Sequence, residues 1–130
     1  MAQGPLSSPY PTYDTGPLIT LSNAGNITVN SGDQFNNFSR GVIVTAGLTV
    51  LGGNLTIHVQ GKDKASGKYY DLLESAVLSG NGTTQFTVYP GATTSNNVAV
   101  STVLPAIWNV EAVISSSGNV SGTIGASVIE

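Results

Sequence analysis

Three of the chain's four basic residues fall within the segment GKDKASGKYYDLL, which runs from residue 61 to residue 73. Lysines beside glycines are typical of a phosphate-binding loop, so this segment is the first candidate for chemistry. Such a loop requires the spacing G-x4-G-K-[ST] between a strand and a helix. Here the two glycines, Gly61 and Gly67, are too widely spaced, and Lys68 is followed by Tyr69 instead of a hydroxyl that could bind magnesium. The sequence therefore argues against a nucleotide site.

The same segment fits the tip of a β-hairpin. LTIHVQ enters it with alternating apolar residues, DKASG contains turn-forming residues, and KYYDLL leaves it as the partner strand. Gly67 is the residue that can adopt a positive φ in this turn. We predict an exposed, charged hairpin, and we expect its lysines to contact an acidic surface on a partner protein: Lys62, Lys64 and Lys68.

Catalytic and metal-binding patterns are weak elsewhere in the chain. The single histidine, His58, is predicted on the polar face of a strand, where it needs no catalytic role. There is no cysteine, no G-x-S-x-G motif before a helix and no D-x-D-x-D calcium loop. The carboxylates that a glycosidase would pair are scattered along the sequence: Asp33, Asp63, Asp71, Glu74 and Glu111. We predict a protein that is not an enzyme and has no catalytic site, metal or cofactor.

Aromatic side chains leave one alternative open, a platform for sugar rings. Trp108 alternates with apolar residues, so we assign it to the core. Tyr69 and Tyr70 are neighbours in a predicted strand, so one should face inward and the other outward. Tyr89 is the remaining candidate, and one exposed tyrosine does not by itself make a lectin.

Composition limits the partners that this chain can have. Charged residues make up 8% of it, against about 25% in a typical soluble domain. The net charge of -3 argues against a general nucleic-acid binder, because neutralising phosphates requires many basic residues on one face. The first residues lack the basic and apolar regions of a secretory signal, and no apolar run approaches the roughly 18 residues of a membrane span. We expect synthesis in a cytoplasm, with neither nucleic acid nor membrane as a partner.

The elements that must position these residues are β-strands. From Leu18 onward, apolar and polar residues alternate, and Gly- and Asn-rich turns recur about every eight to twelve positions. LITLS and NITV predict a first hairpin around Asn23, and TSNNVAVSTVLP predicts a loop that could include one helical turn. About eight strands without a long helix indicate an all-β fold, an antiparallel β-sandwich of immunoglobulin-like or jelly-roll-like type.

The first seventeen residues differ from the rest, since they contain four of the six prolines. Proline lacks an N–H group, which disfavours a helix or a central strand. We predict an extended N-terminal arm over residues 1–17, followed by a sandwich domain over residues 18–130; a disordered tail is the alternative. Its aromatic residues favour docking on a neighbouring protein. The candidate contacts in the arm are Pro5, Leu6, Pro9, Tyr10, Pro11 and Tyr13.

The residues from 40 to 130 also contain several short motifs in a characteristic order. The most characteristic are QGKD followed by SGKYY, the turn Tyr89-Pro90-Gly91, the pair Leu104-Pro105 ahead of the Trp108 strand, and the ending Gly125-Ala126-Ser127. In this order the chain resembles a family of small structural proteins of tailed-bacteriophage virions. The resemblance implies a non-enzymatic β-sandwich present in many copies on the virion. It does not distinguish head, tail and fibre, and it transfers no functional residues.

The arm, the composition and the resemblance lead to one expected function, a capsid decoration (head auxiliary) protein that binds and stabilises the outer surface of the phage head. Its expected partners are the major capsid protein or other virion structural proteins, and we expect it to form a homo-oligomer on the particle surface. The alternative is an adhesion module of a tail or fibre that binds host-surface carbohydrate.

Overall fold

A computed structural model describes residues 12–36, 39–78, 80–115 and 118–129, which form β-strands and no helix. The strands are β1 (Thr12–Ala24), β2 (Thr28–Asn30), β3 (Gln34–Phe35), β4 (Gly41–Leu51), β5 (Leu55–Lys62), β6 (Tyr69–Glu74), β7 (Gly82–Val88), β8 (Ala99–Val100), β9 (Ile107–Ile114) and β10 (Val120–Ile129).

Two five-stranded sheets pack face to face. Sheet 1 has the order β1-β10-β4-β7-β8, and all its pairs are antiparallel except β7 with β8. Sheet 2 has the order β2-β9-β5-β6, and β3 pairs with β9 as well. The prediction of an all-β, largely antiparallel sandwich is therefore confirmed.

The core between the sheets comes from alternate positions of the strands. Leu55, Ile57 and Val59 of β5 are fully buried, as their alternation predicts. Trp108 of β9 is 1% exposed, which confirms its assignment to the core, and Phe86 of β7 faces the same interior. Burying each such side chain contributes roughly 1.5–3 kcal/mol. The strands that position the functional residues are therefore held in place by an apolar core.

The predicted hairpin of β1 and β2 does not form. β1 pairs with β10 in sheet 1, whereas β2 pairs with β9 in sheet 2, so the chain crosses between the sheets after Ala24. Asn23 and Asn26 have φ values of 52° and 48°, a conformation that asparagine adopts more readily than most residues. The local sequence thus predicted the turn correctly and its strand partners wrongly.

The segment from residue 94 to residue 105 contains a short turn and β8 instead of a helical turn. The N–H of Val98 donates to the Ser95 carbonyl, and Ala99 and Val100 then pair with the end of β7. Two paired residues are too few to produce an alternation in the sequence. The possibility of a helical turn in this segment was therefore wrong.

Strand β1 includes residues 12–17, which the sequence assigned to the arm. Thr12 pairs with Ile129 of β10, Tyr13 lies opposite Val128, and register shifts flank Pro17. Proline is tolerated there because β1 is at the edge of sheet 1, where a missing N–H removes no bond from a second neighbour. The remaining predicted arm contacts lie outside the described residues: Pro5, Leu6, Pro9, Tyr10 and Pro11.

Strand β4 is continuous through Gly47, where the sequence left a break or a bulge open. Its register with β10 shifts one step later, between Leu48 and Val50, opposite Gly122. A bulge bends a strand and increases its twist, which helps a long strand follow the curvature of the sandwich.

Within the part of the chain that the structure describes, no helix has the length and apolar character needed to cross a membrane.

Candidate functional site

In sheet 1, one end of the sandwich is formed by the start of β1, the end of β10 and the start of β4. Thr12 pairs with Ile129, and Ile129 pairs in turn with Gly41. We call this the arm end, since residues 1–11 precede Thr12. The strand pairing therefore fixes the point at which the N-terminal segment joins the domain.

In sheet 2, the arm end is formed by β3, the start of β9 and the β5–β6 hairpin. Phe35 of β3 pairs with Ile107 of β9, and a short connection leads from Phe35 to the start of β4. The Nδ2 of Asn36 donates to the Leu104 carbonyl at 3.0 Å, which holds this corner together. Gly61 pairs with the residue after Ile107, so the hairpin turn lies beside the corner.

All four basic residues of the chain lie at the arm end. Arg40 directly precedes β4, Lys62 ends β5, and Lys64 and Lys68 belong to the hairpin turn. Arg40, Lys64 and Lys68 are exposed and form no salt bridge among the described residues. Sequence reasoning missed Arg40, because only the pairing of distant strands places it at the same end of the sandwich as the lysines.

The hairpin turn is organised by Asp63. Its carboxylate accepts hydrogen bonds from the Ser66 hydroxyl at 2.6 Å and from the N–H groups of Ala65 and Ser66 at 3.3 Å. The Ser66 hydroxyl, more than the backbone donors, holds the pKa of the Asp63 carboxyl below its ordinary value. Gly67 has a φ of +74°, as predicted. The hairpin prediction is therefore confirmed, with a turn whose carboxylate is fully used in shaping it.

Lys62 forms an ion pair inside the domain. Its Nζ lies 3.0 Å from Oδ2 of Asp33, and each side chain is 26% exposed. The Tyr69 hydroxyl donates to Oδ1 of Asp33 at 2.6 Å, and Nζ of Lys62 lies 5.3 Å from the centroid of the Tyr69 ring. Of the three predicted lysine contacts, Lys62 thus has its charge compensated internally.

The ionisation of this cluster follows from its contacts. Hydrogen bonds from Tyr69 and then Lys62 hold the pKa of the Asp33 carboxyl below its ordinary value, and Asp33 raises the pKa of Lys62. Both partners are therefore charged at neutral pH. An amide bond between them would need a neutral amine and a protonated acid, so the cluster favours a salt bridge over covalent cross-linking.

The outer face of sheet 2 carries a row of polar side chains across three strands. Gln60 lies opposite Asn109 on one side and Asp71 on the other, and its Nε2 donates to Asp71 at 3.1 Å. The Nδ1 of His58 lies 3.3 Å from the other Asp71 oxygen, and potential ligand atoms of His58, Asp71 and Glu74 all lie within 4.8 Å of one another. Asp71 and Glu74 both lie on β6, where the register shift leaves Leu72 unpaired, and the pairing with β5 places His58 beside them; these two carboxylates are therefore not scattered in the fold.

Asn109 is fully buried, although the alternation of β9 places it on the outward, polar face. Its amide lies close enough to Asp33 to contribute to the lowered pKa of that carboxyl. The geometry is nevertheless too poor for a hydrogen bond, and neither Oδ1 nor Nδ2 has a partner among the residues that the structure describes. Asn109 is thus a buried polar side chain next to Asp33.

Both tyrosines of the hairpin are about half exposed, at 45% and 46%. Tyr69 contacts the Asp33 cluster on the outer face. Tyr70 faces the other side, but at the rim: a Cβ on Gly61 would lie 2.7 Å from both the Tyr70 ring and Pro105. The two tyrosines therefore face opposite sides of the strand, as expected, but Tyr70 stays half exposed because the core does not extend as far as the hairpin's end.

A groove of about 280 Å³ opens at the arm end between β3 and the hairpin. It is lined by Phe35, Asn36, Lys62, Lys64, Ala106 and Ile107. Phe35 is 73% exposed, more than any other large apolar side chain among the described residues. The chain matches no protein-family model, and neither curated proteins nor solved structures show a significant similarity to it, so the resemblance to phage virion proteins stays a prediction.

Proposed function

We propose that this protein is a non-enzymatic structural component of a tailed-bacteriophage virion, a capsid decoration protein that attaches to the outer surface of the head by its arm end. One observation supports the proposal above the others. Three features lie at one end of the sandwich: the attachment point of the arm, three basic side chains that form no salt bridge with the described residues, and Phe35, the most exposed large apolar side chain among those residues. A domain attached in this way leaves its weakly charged remainder facing outward.

The proposed mechanism is mass action. A protein that binds the assembled lattice but not its free subunits stabilises the lattice by an amount that grows with concentration and affinity. Arg40, Lys64 and Lys68 suit an acidic partner surface, such as one on the major capsid protein. A stable interface needs about 800 Å² from each partner, which favours a contribution from the arm and from several copies in a homo-oligomer.

The proposal is tested with purified heads that lack this protein. We expect the full chain to sediment with the heads and to appear as ordered density on their surface. A deletion should remove residues 1–11 only, since residues 12–17 pair with β10. We expect it to weaken binding by roughly tenfold or more, with unchanged thermal unfolding. Absence of binding by the full chain, or equal binding by the truncated chain, would contradict the proposal.

The carbohydrate alternative is tested with the same protein. In this alternative, the hydroxyls of the bound sugar would contact the polar row on sheet 2, where His58, Gln60 and Asp71 offer donors and acceptors. The Tyr69 ring is a poorer stacking surface, since Lys62 lies over it. Glycan binding that is lost in Gln60→Ala, together with no binding to heads, would replace the proposed function by adhesion.

A further inference from the structure

We propose that the groove at the arm end is the docking site for residues 5–11 of a second copy of this chain. The proposal deepens the proposed function, because it gives the arm a receptor, and it rests on that function only for the arm's role in attachment. A contact between copies does not itself require a head. The groove, the sequence of the arm and the direction in which the arm leaves β1 each contribute to the argument.

The groove has the chemistry of a site for an apolar, extended peptide. Phe35 and Ile107 are cross-strand partners that form its apolar side, and Ala106 next to them is exposed. Lys62 and Lys64 line the opposite side with long aliphatic stems. Its volume of about 280 Å³ is just below the roughly 300–1,000 Å³ of ligand pockets, so it suits a few side chains and not a whole ligand of that class.

The arm has the matching composition. Residues 1–11 contain no charged side chain, and residues 5–11 have the sequence PLSSPYP. Proline-rich segments bind in grooves lined by aromatic residues, because their extended conformation is already restricted before binding. Phe35 supplies such an aromatic surface, and a lysine ammonium at the rim can lie over the Tyr10 ring.

The direction of β1 favours a second copy over the chain's own groove. β1 runs from the arm end towards the opposite end, so its first residue, Thr12, lies at the outer limit of sheet 1. Pro9 and Pro11 restrict the residues that precede them to extended conformations, which disfavours an immediate reversal. Eleven residues extend up to about 36 Å, far enough to reach a neighbouring domain. An arm on one copy and a groove on the next form a head-to-tail contact, which closes into a ring when the rotation between copies permits.

The chain contains no cysteine, so engineered thiols give an unambiguous test. Two single-cysteine variants of the full chain, Ser8→Cys and Ala106→Cys, are mixed and oxidised, and mass spectrometry detects the disulfide between the two different chains. The matched control replaces Ala106→Cys with Ala76→Cys, an equally small and exposed alanine at the opposite end of the sandwich. At about 100 μM protein we expect roughly tenfold more mixed disulfide than in the control, since effective concentrations in a complex reach the millimolar range. Ser7→Cys in the same format covers a docking register shifted by one residue.

A second variant links the disulfide to the groove. Phe35→Ser in the Ala106→Cys chain should reduce the mixed disulfide to the control yield, whereas Val77→Ser, which changes an exposed apolar residue away from the groove, should not. The proposal is overturned if neither arm thiol exceeds the control. It is also overturned if the disulfide forms only within one chain of a double variant, since the arm then docks on its own domain.

Failure of this inference is distinguishable from failure of the proposed function. A mixed disulfide without binding to heads would retain the contact between copies and remove the virion role. Binding to heads without the mixed disulfide would retain the virion role and assign the arm to a different partner.

Discussion

The Ser75 side chain forms a hydrogen bond to the backbone of β5 at the point where the pairing of β5 with β6 ends. Its Oγ accepts the N–H of Ile57 at 2.8 Å and donates to the Ala76 carbonyl at 2.8 Å, while its own N–H donates to the Ile57 carbonyl. Ser75 is 3% exposed and Ile57 is fully buried, so water cannot replace the hydroxyl. We predict that Ser75→Ala destabilises the domain by leaving a buried N–H without a partner.

The magnitude follows from the cost of that orphaned donor. A buried backbone N–H without an acceptor costs about 1–3 kcal/mol, and the change to alanine removes almost no apolar surface. In a domain of this size, 1 kcal/mol lowers the melting temperature by roughly 4 °C. We therefore expect Ser75→Ala to lower the melting temperature by about 4–12 °C.

Calorimetry and urea unfolding measure this loss directly. The control is Ser101→Ala: the Ser101 Oγ accepts the Gly91 N–H at 2.9 Å, but at an exposed position where water can take its place. We expect the control to change stability by less than about 0.5 kcal/mol. A loss of similar size in both variants, or a loss below about 0.5 kcal/mol for Ser75→Ala, would refute the argument that the buried N–H depends on this hydroxyl.

Two further predictions concern the arm end and the bulge between β4 and β10. The Tyr69 hydroxyl and Lys62 lower the pKa of Asp33, so its stabilising contribution is present above the unfolded-state pKa of 3.8 and is lost as the pH falls through the lower folded value. Asp33→Asn should thus lower the melting temperature at pH 7, and the difference should shrink below about pH 4; a difference that stays constant from roughly pH 2 to pH 6 would contradict this. Gly122 has a φ of 150°, and a Cβ there would collide with the Gly47 carbonyl oxygen. Gly122→Ala should cost about 2–4 kcal/mol in urea unfolding, and a loss under about 1 kcal/mol would show that the bulge can relax.

Alternation predicted which face of each inner strand is buried. Such a strand lies between two others in its sheet, so one of its faces packs on the opposite sheet and the other faces solvent. Leu55, Ile57 and Val59 alternate with polar residues, and all three are buried under the opposite sheet. Gly67 was predicted equally well, since a tight turn with a positive φ leaves few residue types to choose from. Both signals are local, so the sequence alone was sufficient for them.

Pairing between distant strands was beyond the local sequence. The crossover after Ala24 has the same turn residues as a hairpin, and nothing near it indicates that β2 pairs with β9. Asn109 is polar and occupies an outward position, yet it is buried because Asp33 approaches it from the segment after β2. The same limitation hid Arg40 from the list of basic contacts and Phe35 from the groove, since both come from segments that only the fold brings to the hairpin.

The charges at the arm end can favour an acidic partner, but they contribute too little free energy to keep it bound. Arg40, Lys64 and Lys68 are the exposed cations there, and Asp63 in the same turn opposes them. An exposed ion pair contributes about 0–1 kcal/mol, whereas a micromolar complex requires about 8 kcal/mol. In the proposed complex, the apolar contacts of the arm and the groove would therefore supply most of the affinity. Exposed charges act mainly within a Debye length of about 8 Å, so added salt should slow association. Substitutions at Phe35 remove apolar contacts in the proposed complex and should therefore speed dissociation.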